Sequence, residues 1–283
     1  MNASGEHLEY VNTLHNIIFS IILIICCIGA PLNGIVIWLL GFQIKRNPFT
    51  VLIVNLAIAD FGFLIFMTIY CIAIFIGFIQ SGIRWEIFFS LFSVTYISSL
   101  FLLTAISIDR CVSVLFPIWH RCSRPNYLSP AVCTFLWIFS SLLIGIHYIM
   151  QHLFWNLHLV VTAVLCLPLM TTSTVILFIK ICLKSKQMKR GRLLVMILIT
   201  LLCFLILNLP FYFYVFITHF LLEENFVNIF ELSVYLCPSA SLNSSVNPVI
   251  YFLVGRKKKA RSRESIKVVF QRVFREDEAP ETR

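Results

Sequence analysis

Long apolar runs alternate with short polar breaks along most of this chain. Each run reaches or exceeds the roughly 20 residues that an α-helix needs to cross the hydrocarbon core of a bilayer. Helices satisfy their own backbone hydrogen bonds, which a membrane core requires of any segment that crosses it. The pattern predicts an all-α membrane protein, built as a seven-transmembrane helix bundle, with spans near 16–42, 49–77, 87–116, 127–150, 158–183, 193–221 and 229–254.

The breaks between spans differ in charge, and the difference predicts an orientation. Of the 22 Lys and Arg residues, only Arg84 falls on the same side as the N-terminus. Basic residues concentrate on the cytosolic side of membrane proteins, so we predict an extracellular N-terminus and a multi-pass protein of the plasma membrane. A net charge of +9 would point to nucleic acid in a soluble protein, but this placement and an apolar fraction of 59% argue against a nucleic-acid partner.

The segments outside the spans set the domain boundaries. Residues 1–15 are predicted as an extracellular tail, 16–254 as the membrane domain, 255–275 as a C-terminal amphipathic helix on the inner leaflet, and 276–283 as a disordered cytoplasmic tail. The amphipathic helix follows from apolar residues at three- and four-residue spacing, beside basic residues that suit anionic membrane lipid. Asn2 begins an Asn-Ala-Ser sequon, which predicts glycosylation of the outer tail.

Isolated polar side chains within the spans are the candidate chemistry. A charged side chain deep in a bilayer costs about 2.5–3.5 kcal/mol on insertion scales, so it is usually paired and functional. Asp60 lies alone in the second span and is interpreted as a cation or proton site, or else as a protonated structural acid. Asp109 and Arg110 end the third span as an acid–base pair near the inner face, or else as a charge cluster that stops membrane transfer.

No pattern of catalytic residues is present in the sequence. It has no phosphate-binding loop, no metal-ligand spacing and no nucleophile beside a base, so an enzyme is not expected. A cation-coupled transporter is the main alternative for Asp60, but transporters usually show internal repeats, and this chain shows none. The ten cysteines are not arranged as a disulfide framework, which favours free thiols; a bridge between Cys71 and Cys237 stays open.

Several polar and proline positions recur in the order and spacing of a known family. They are Asn33, Asn55 to Asp60, Asp109-Arg110-Cys111, Trp137, Pro168, Pro210 and Asn247-Pro248-Val249-Ile250-Tyr251. Together they resemble the rhodopsin-like (class A) G-protein-coupled receptors over nearly the whole chain. Local strings at 44–50, 103–110, 116–122, 250–255 and 264–269 are similar to the Mas and Mas-related receptors in particular.

The resemblance implies a receptor that binds an extracellular peptide or small molecule and signals through heterotrimeric G proteins, Gq and/or Gi. It also allows a dimer, and a receptor-like partner that does not itself signal is a second alternative. The activation residues it implies are Asp109, Arg110, Phe204, Pro210, Asn247, Pro248 and Tyr251. No cofactor is expected other than an allosteric sodium ion, for which the matching set is Asp60, Ser99, Asn243, Ser244 and Asn247.

The chain departs from this family in ways that bear on signalling and ligand choice. Trp85 and a cysteine-free second outer loop remove the usual disulfide at the start of the third span. Asn208 replaces a tryptophan near Pro210, which favours ligand-independent signalling. His147 stands where several Mas-related receptors carry an acid that binds cationic peptides, so we expect weaker preference for such peptides, or a pH dependence. The predicted ligand pocket is Phe92, His147, Tyr148, His152, Tyr212 and Tyr235.

Overall fold

Seven long helices, packed as one bundle, account for most of the chain. The computed structural model describes residues 3–44, 46–77, 83–125, 127–149, 157–183, 191–220, 229–255 and 266–274, and within these segments every regular element is helical. In chain order the elements are α1 (Ala3–Trp38), continued by a π-helical turn (Leu39–Gln43), α2 (Pro48–Phe75), α3 (Ile83–Leu115), α4 (Pro117–Cys122), α5 (Leu128–Ile149), α6 (Leu157–Leu183), α7 (Gly191–Phe220), α8 (Ile229–Gly255) and α9 (Ile266–Phe274).

The seven predicted spans are confirmed as long helices, with small differences at their ends. In the part of the chain that the structure describes, α1, α2, α3 and α5 are long and apolar enough to cross a membrane, and α6 and α7 hold shorter apolar stretches. The first helix begins at Ala3, so most of the segment predicted as the outer tail is helical. The break between the predicted spans at 87–116 and 127–150 is not only a loop, because α4 lies within it.

Local sequence explains where α2 and α4 begin. The side-chain oxygen of Asn47 accepts a hydrogen bond from the backbone N–H of Thr50 at 2.7 Å, and the Thr50 hydroxyl accepts one from the backbone N–H of Asn47 at 2.8 Å. This reciprocal cap is followed by Pro48 at the first helical position, where no N–H is needed. Pro117 starts α4 in the same way, after the non-helical backbone of Phe116 has ended α3.

Helices α2 and α3 each pack against four other long helices: α2 against α1, α3, α5 and α8, and α3 against α2, α5, α6 and α7. Helix α1 packs on α2 and α8, and α7 packs on α6 and α8. We call the two ends of the bundle the Arg110 end and the Glu86 end, after residues near the last and first turns of α3. Asp60 lies between them, in the middle of α2.

The predicted C-terminal amphipathic helix is confirmed over the described residues as α9. Its Phe270 and Phe274 are buried against the bundle, whereas Ile266 is 44% exposed. The backbone carbonyl of Phe274 accepts a hydrogen bond from the side chain of Asn47 at 3.1 Å, which fixes the last turn of α9 beside the first turn of α2. Part of the apolar stripe therefore packs on the bundle rather than on lipid, because aromatic partners are available there.

Candidate functional site

A polar network in the middle of the bundle is centred on Asp60, whose side chain is fully buried. Ser99 of α3 donates its hydroxyl to Oδ1 of the carboxylate at 2.6 Å. Asn247 of α8 donates its side-chain N–H to Oδ2 at 2.8 Å, and Ser244, one turn earlier on α8, also interacts with the carboxylate. Each carboxylate oxygen is therefore hydrogen-bonded, as a buried acid requires. Three helices meet on this one side chain.

A proline explains how α8 also bonds to α1. Pro248 has no N–H, so the carbonyl of Ser244 lacks its helical partner. Asn33 of α1 donates its side-chain N–H to that carbonyl at 3.0 Å and to the carbonyl of Gly29 at 3.1 Å. Gly29 lets the two helices approach this closely, because a Cβ atom there would overlap the side chain of Ser245. The buried side-chain amide of Asn33 thus bonds to a carbonyl that has no helical partner, because residue 248 is a proline.

A second cluster, of charged side chains, forms where α3 ends. Arg110 donates from Nε and Nη2 to Oδ2 of Asp109, at 3.2 and 2.8 Å. The Nη2 atom of Arg124 lies 2.7 Å from the other carboxylate oxygen of Asp109, Oδ1. His120 places Nε2 3.5 Å from the same Oδ1 and 3.0 Å from Nη1 of Arg124. The structure thus brings the predicted pair together, and it adds two residues to it.

His120 and Arg124 are functional candidates that the sequence pattern did not single out. Both side chains are largely buried, at 17% and 7% exposed. Arg124 also donates to the Ser129 hydroxyl at the start of α5, at 2.6 Å. The sequence signal for this arrangement is Pro117, since a helix that restarts directly after α3 can return the following basic residues towards Asp109. We call these four side chains, Asp109, Arg110, His120 and Arg124, the Asp109 cluster.

Arg110 also contacts the first of three linked aromatic rings, which come from three other helices. Its Cζ lies 3.8 Å from the ring centroid of Phe49 in α2, which is a cation–π contact. The ring of Phe49 is 6.2 Å from that of Phe274 in α9, and Phe274 meets Tyr251 of α8 edge-on at 5.9 Å. Arg110 and Tyr251 are each only 3% exposed. Two predicted activation residues are therefore connected through two rings that sequence reasoning did not assign.

The predicted activation residues of α7 lie at and after a buried ring. Phe204 is fully buried in the core. Asn208, one turn later, donates its side-chain N–H to the backbone carbonyl of Phe204 at 3.2 Å, so its amide bonds within its own helix. Pro210 lies within α7, but its side chain is outside the described part of the chain.

The described residues of the predicted ligand pocket fall into two groups. Phe92 of α3 packs against Phe63 of α2, with ring centroids 5.1 Å apart. His147 and Tyr148 lie in the last turn of α5, at the Glu86 end, with ring centroids 5.8 Å apart. The Tyr148 hydroxyl donates to the backbone carbonyl of Glu86 at 3.1 Å. That bond holds the end of α5 to the start of α3.

Several other predicted features lie outside the described residues. They are Asn2, His152, the basic run at 256–265, the tail at 275–283 and the side chains of Tyr212 and Tyr235. Cys71 and Cys237 are described, and both are free thiols, so the bridge between them is absent.

Cation binding was expected at Asp60, and its surroundings suit a hard cation. Within the described residues, no group of three or more His, Cys, Asp or Glu side chains is placed to hold a metal ion. The Asp60 network instead offers carboxylate and hydroxyl oxygens, which are the ligands that hard cations prefer. Asn243 is buried on the same helix as Ser244 and Asn247. Asn247 turns an N–H towards the carboxylate, so its own oxygen is not directed at Asp60.

Comparison with known proteins places this arrangement in a family. Residues 32–158 match the family described as 7 transmembrane receptor (rhodopsin family). The human protein named Proto-oncogene Mas is 36% identical in an alignment of 281 positions that covers 93% of this chain and 85% of that protein. Human Mas-related G-protein coupled receptor member X1 is 34% identical in an alignment of 290 positions, gaps included, that covers 98% of this chain and 88% of that protein. Member D from Macaca fascicularis is 36% identical in an alignment of 282 positions that covers 92% of this chain and 86% of that protein.

These similarities extend along nearly the full length of both partners in each comparison. They confirm the family indicated by the motifs at Asp60, Arg110 and Tyr251, and they make the chain a multi-pass membrane receptor rather than an enzyme. The chain therefore belongs to the Mas-related branch of the rhodopsin-like G-protein-coupled receptors.

Proposed function

We propose that this receptor binds an extracellular peptide or small molecule at the Glu86 end and activates a heterotrimeric G protein, Gq and/or Gi, at the Arg110 end. The proposal requires an extracellular N-terminus at the plasma membrane, which the placement of the basic residues supports. One observation carries it above all. Arg110, the residue expected to meet the G protein, is 3% exposed and is held by Asp109 and Phe49.

Arg110 has to be uncovered before a cytosolic protein can contact it. Its donors are directed at Asp109, and its planar face lies on Phe49. Helix α8 contributes to both networks, because Asn247 bonds to Asp60 and Tyr251 packs on Phe274. A movement of α8 would therefore disturb the Asp60 network and the rings beside Arg110 in one step. Such a shift between two packed arrangements is the usual basis of a receptor switch.

The ligand end is aromatic and carries a histidine where cationic peptides would favour an acid. His147 and Tyr148 pack together there, and Tyr148 bonds to the first turns of α3 through Glu86. A ligand that contacts this corner would bear directly on α3, the helix that ends in Asp109 and Arg110. We propose ligands that are not strongly cationic, since a neutral imidazole replaces a negative charge.

An allosteric sodium ion is part of the proposal. Asp60, Ser99 and Ser244 would hold it, since they present oxygens from three helices in the buried core. Bound there, sodium would supply the positive charge that a buried carboxylate otherwise lacks. Asn247 would have to release its bond to Asp60 or turn its oxygen inward to join the set.

The test is a screen of a peptide library on cells that express the full chain, with calcium release and cyclic AMP as separate readouts. Arg110→Ala should abolish either signal at equal surface expression. The matched control is Arg46→Ala, because Arg46 is an exposed arginine of the same end that bonds to the backbone carbonyl of Gly41. Signals that survive Arg110→Ala would contradict the proposal. A chain that never changes nucleotide exchange on any G protein would favour the non-signalling partner instead.

A further inference from the structure

Helix α9 contacts four other elements at the Arg110 end, and the proposed function gives it no role. It packs against α8, α7 and the π-helical turn that continues α1. Its Phe274 also reaches α2, where the ring centroid lies 6.2 Å from that of Phe49. A helix of nine residues therefore connects α1, α2, α7 and α8 at the end of the bundle where Arg110 lies.

One face of α9 is buried as completely as the core of the bundle. Val269, Phe270 and Phe274 are each at most 2% exposed, whereas Ile266 and Val268 are 44% and 45% exposed. Phe270 and Phe274 pack on each other, with ring centroids 5.9 Å apart, and both belong to the main hydrophobic core. An amphipathic helix that only lay on the membrane would turn this face to lipid. The apolar face of α9 is instead docked on protein.

Two polar contacts fix the position of α9, one near each of its ends. Lys267 donates from Nζ to Oε1 of Gln43 at 2.9 Å. Asn47 donates its side-chain N–H to the backbone carbonyl of Phe274 at 3.1 Å. That carbonyl lies in the last turn of α9, where a helical carbonyl has no partner within its own helix. The oxygen of the same Asn47 side chain caps α2, so one residue joins the end of α9 to the start of α2.

The docked helix supports the ring that covers Arg110. Phe274 lies between Phe49 and Tyr251, with ring centroids 6.2 and 5.9 Å away. Phe49 in turn lies 3.8 Å from the guanidinium of Arg110. With α9 in place, Phe49 is 2% exposed and Tyr251 is 3% exposed. Departure of Phe274 would uncover one side of each ring and remove the support behind the cation–π contact.

We infer that α9 is an autoinhibitory element, which opposes G-protein coupling while it is docked and leaves the bundle when a G protein binds at the Arg110 end. The inference rests on the proposed function, because it takes the Arg110 end as the coupling face. A partner that binds only the undocked form has its affinity reduced by the fraction of receptor in that form. Weaker docking of α9 should therefore raise ligand-independent coupling.

Two isosteric substitutions that add the same charge at the same end test the inference. Asn47→Asp keeps an oxygen that caps α2, but it replaces the donor to Phe274 with an oxygen that repels the carbonyl. Gln43→Glu keeps the acceptor for Lys267 and makes it an ion pair. Nucleotide exchange on purified Gq and Gi, without ligand and with the receptor in nanodiscs, should rise about threefold or more in Asn47→Asp. It should not rise in Gln43→Glu.

The outcomes of this assay separate the two proposals. An equal rise in both variants would show an effect of charge alone and would overturn the inference. Exchange above the receptor-free level in the wild type, with no rise in Asn47→Asp, would overturn the inference and leave the proposed function intact. If neither the wild type nor any variant raises exchange above the receptor-free level, the proposed function fails and the inference fails with it.

The position of α9 is measured separately, by double electron–electron resonance. One spin label is placed on Cys27, an exposed thiol of α1, and the other on Val268→Cys, with the exposed Cys122 and Cys182 changed to serine. One distance should dominate in the receptor alone. A second distance should appear in Asn47→Asp and dominate in the complex with nucleotide-free G protein. An α9 that keeps its first distance in that complex would overturn the inference, although coupling itself would stand.

Discussion

Replacing Phe49 with leucine tests whether the aromatic contact keeps Arg110 in its buried position. The guanidinium lies 3.8 Å from the ring centroid, and the two residues are 3% and 2% exposed, so the contact is almost completely shielded from water. Cation–π contacts are worth about 0.5–1 kcal/mol when exposed and about 2 kcal/mol when desolvated. If the contact exists only while Arg110 is covered, its loss should raise the population with Arg110 uncovered by about 2-fold to 30-fold.

The assay is ligand-independent nucleotide exchange on purified G protein, normalised to the amount of receptor. Phe63→Leu is the matched control, because Phe63 is 1% exposed in α2 and packs on Phe92 rather than on an arginine. Both variants lose the same atoms from a packed core, so general destabilisation should affect them alike. Basal exchange that rises equally in both variants, or in neither, would refute a specific hold of Phe49 on Arg110. An increase confined to Phe49→Leu would show that the contact between Phe49 and Arg110 contributes to the barrier against ligand-independent signalling.

Three further predictions follow from the other networks. Gly29→Ala should lower the free energy of unfolding by about 1–3 kcal/mol, because the new Cβ would overlap the side chain of Ser245. Gly145→Ala is the control and should be neutral or slightly stabilising, because nothing lies within 4 Å of a Cβ there. Thermal melting in detergent measures both variants, and equal melting temperatures would contradict the close contact between α1 and α8. Sodium chloride should raise the melting temperature relative to choline chloride at equal ionic strength, by about 2–4 °C for each kcal/mol that sodium binding adds to the free energy of unfolding. Asp60→Asn should remove this effect. A wild-type receptor whose melting temperature does not respond to sodium would contradict the sodium proposal. His147→Ala should change the potency of a basic agonist at about pH 6, at about pH 7.4, or at both. If the substitution leaves the potency unchanged at both pH values, His147 has no role in ligand recognition.

The local sequence was sufficient to predict the helices and several of their ends. Apolar runs of membrane-spanning length located the seven long helices, because backbone hydrogen bonding in lipid leaves few alternatives. Pro48 and the Asn47 cap are short-range signals of the same kind, since a cap joins residues only three apart. The start of α4 shows the limit of such reasoning. Pro117 lies in the short break between the third and fourth predicted spans, and the apolar pattern of the spans did not predict a helix there.

What the sequence determined by itself is the set of residues that cannot face lipid: Asp60, Arg110, Asn247 and their neighbours had to find polar partners inside a bundle. Which partners they found was decided only by tertiary structure. Asn247 reaches Asp60 across 187 residues of sequence, and the side chain of Asn47 reaches the carbonyl of Phe274 across 227. Such pairs depend on how each helix is rotated about its axis and which turns are level with each other, and neither follows from the periodicity of a single segment. The same holds for Arg124, whose charge was evident from the sequence but whose place beside Asp109 depends on how α4 returns the chain beneath α3.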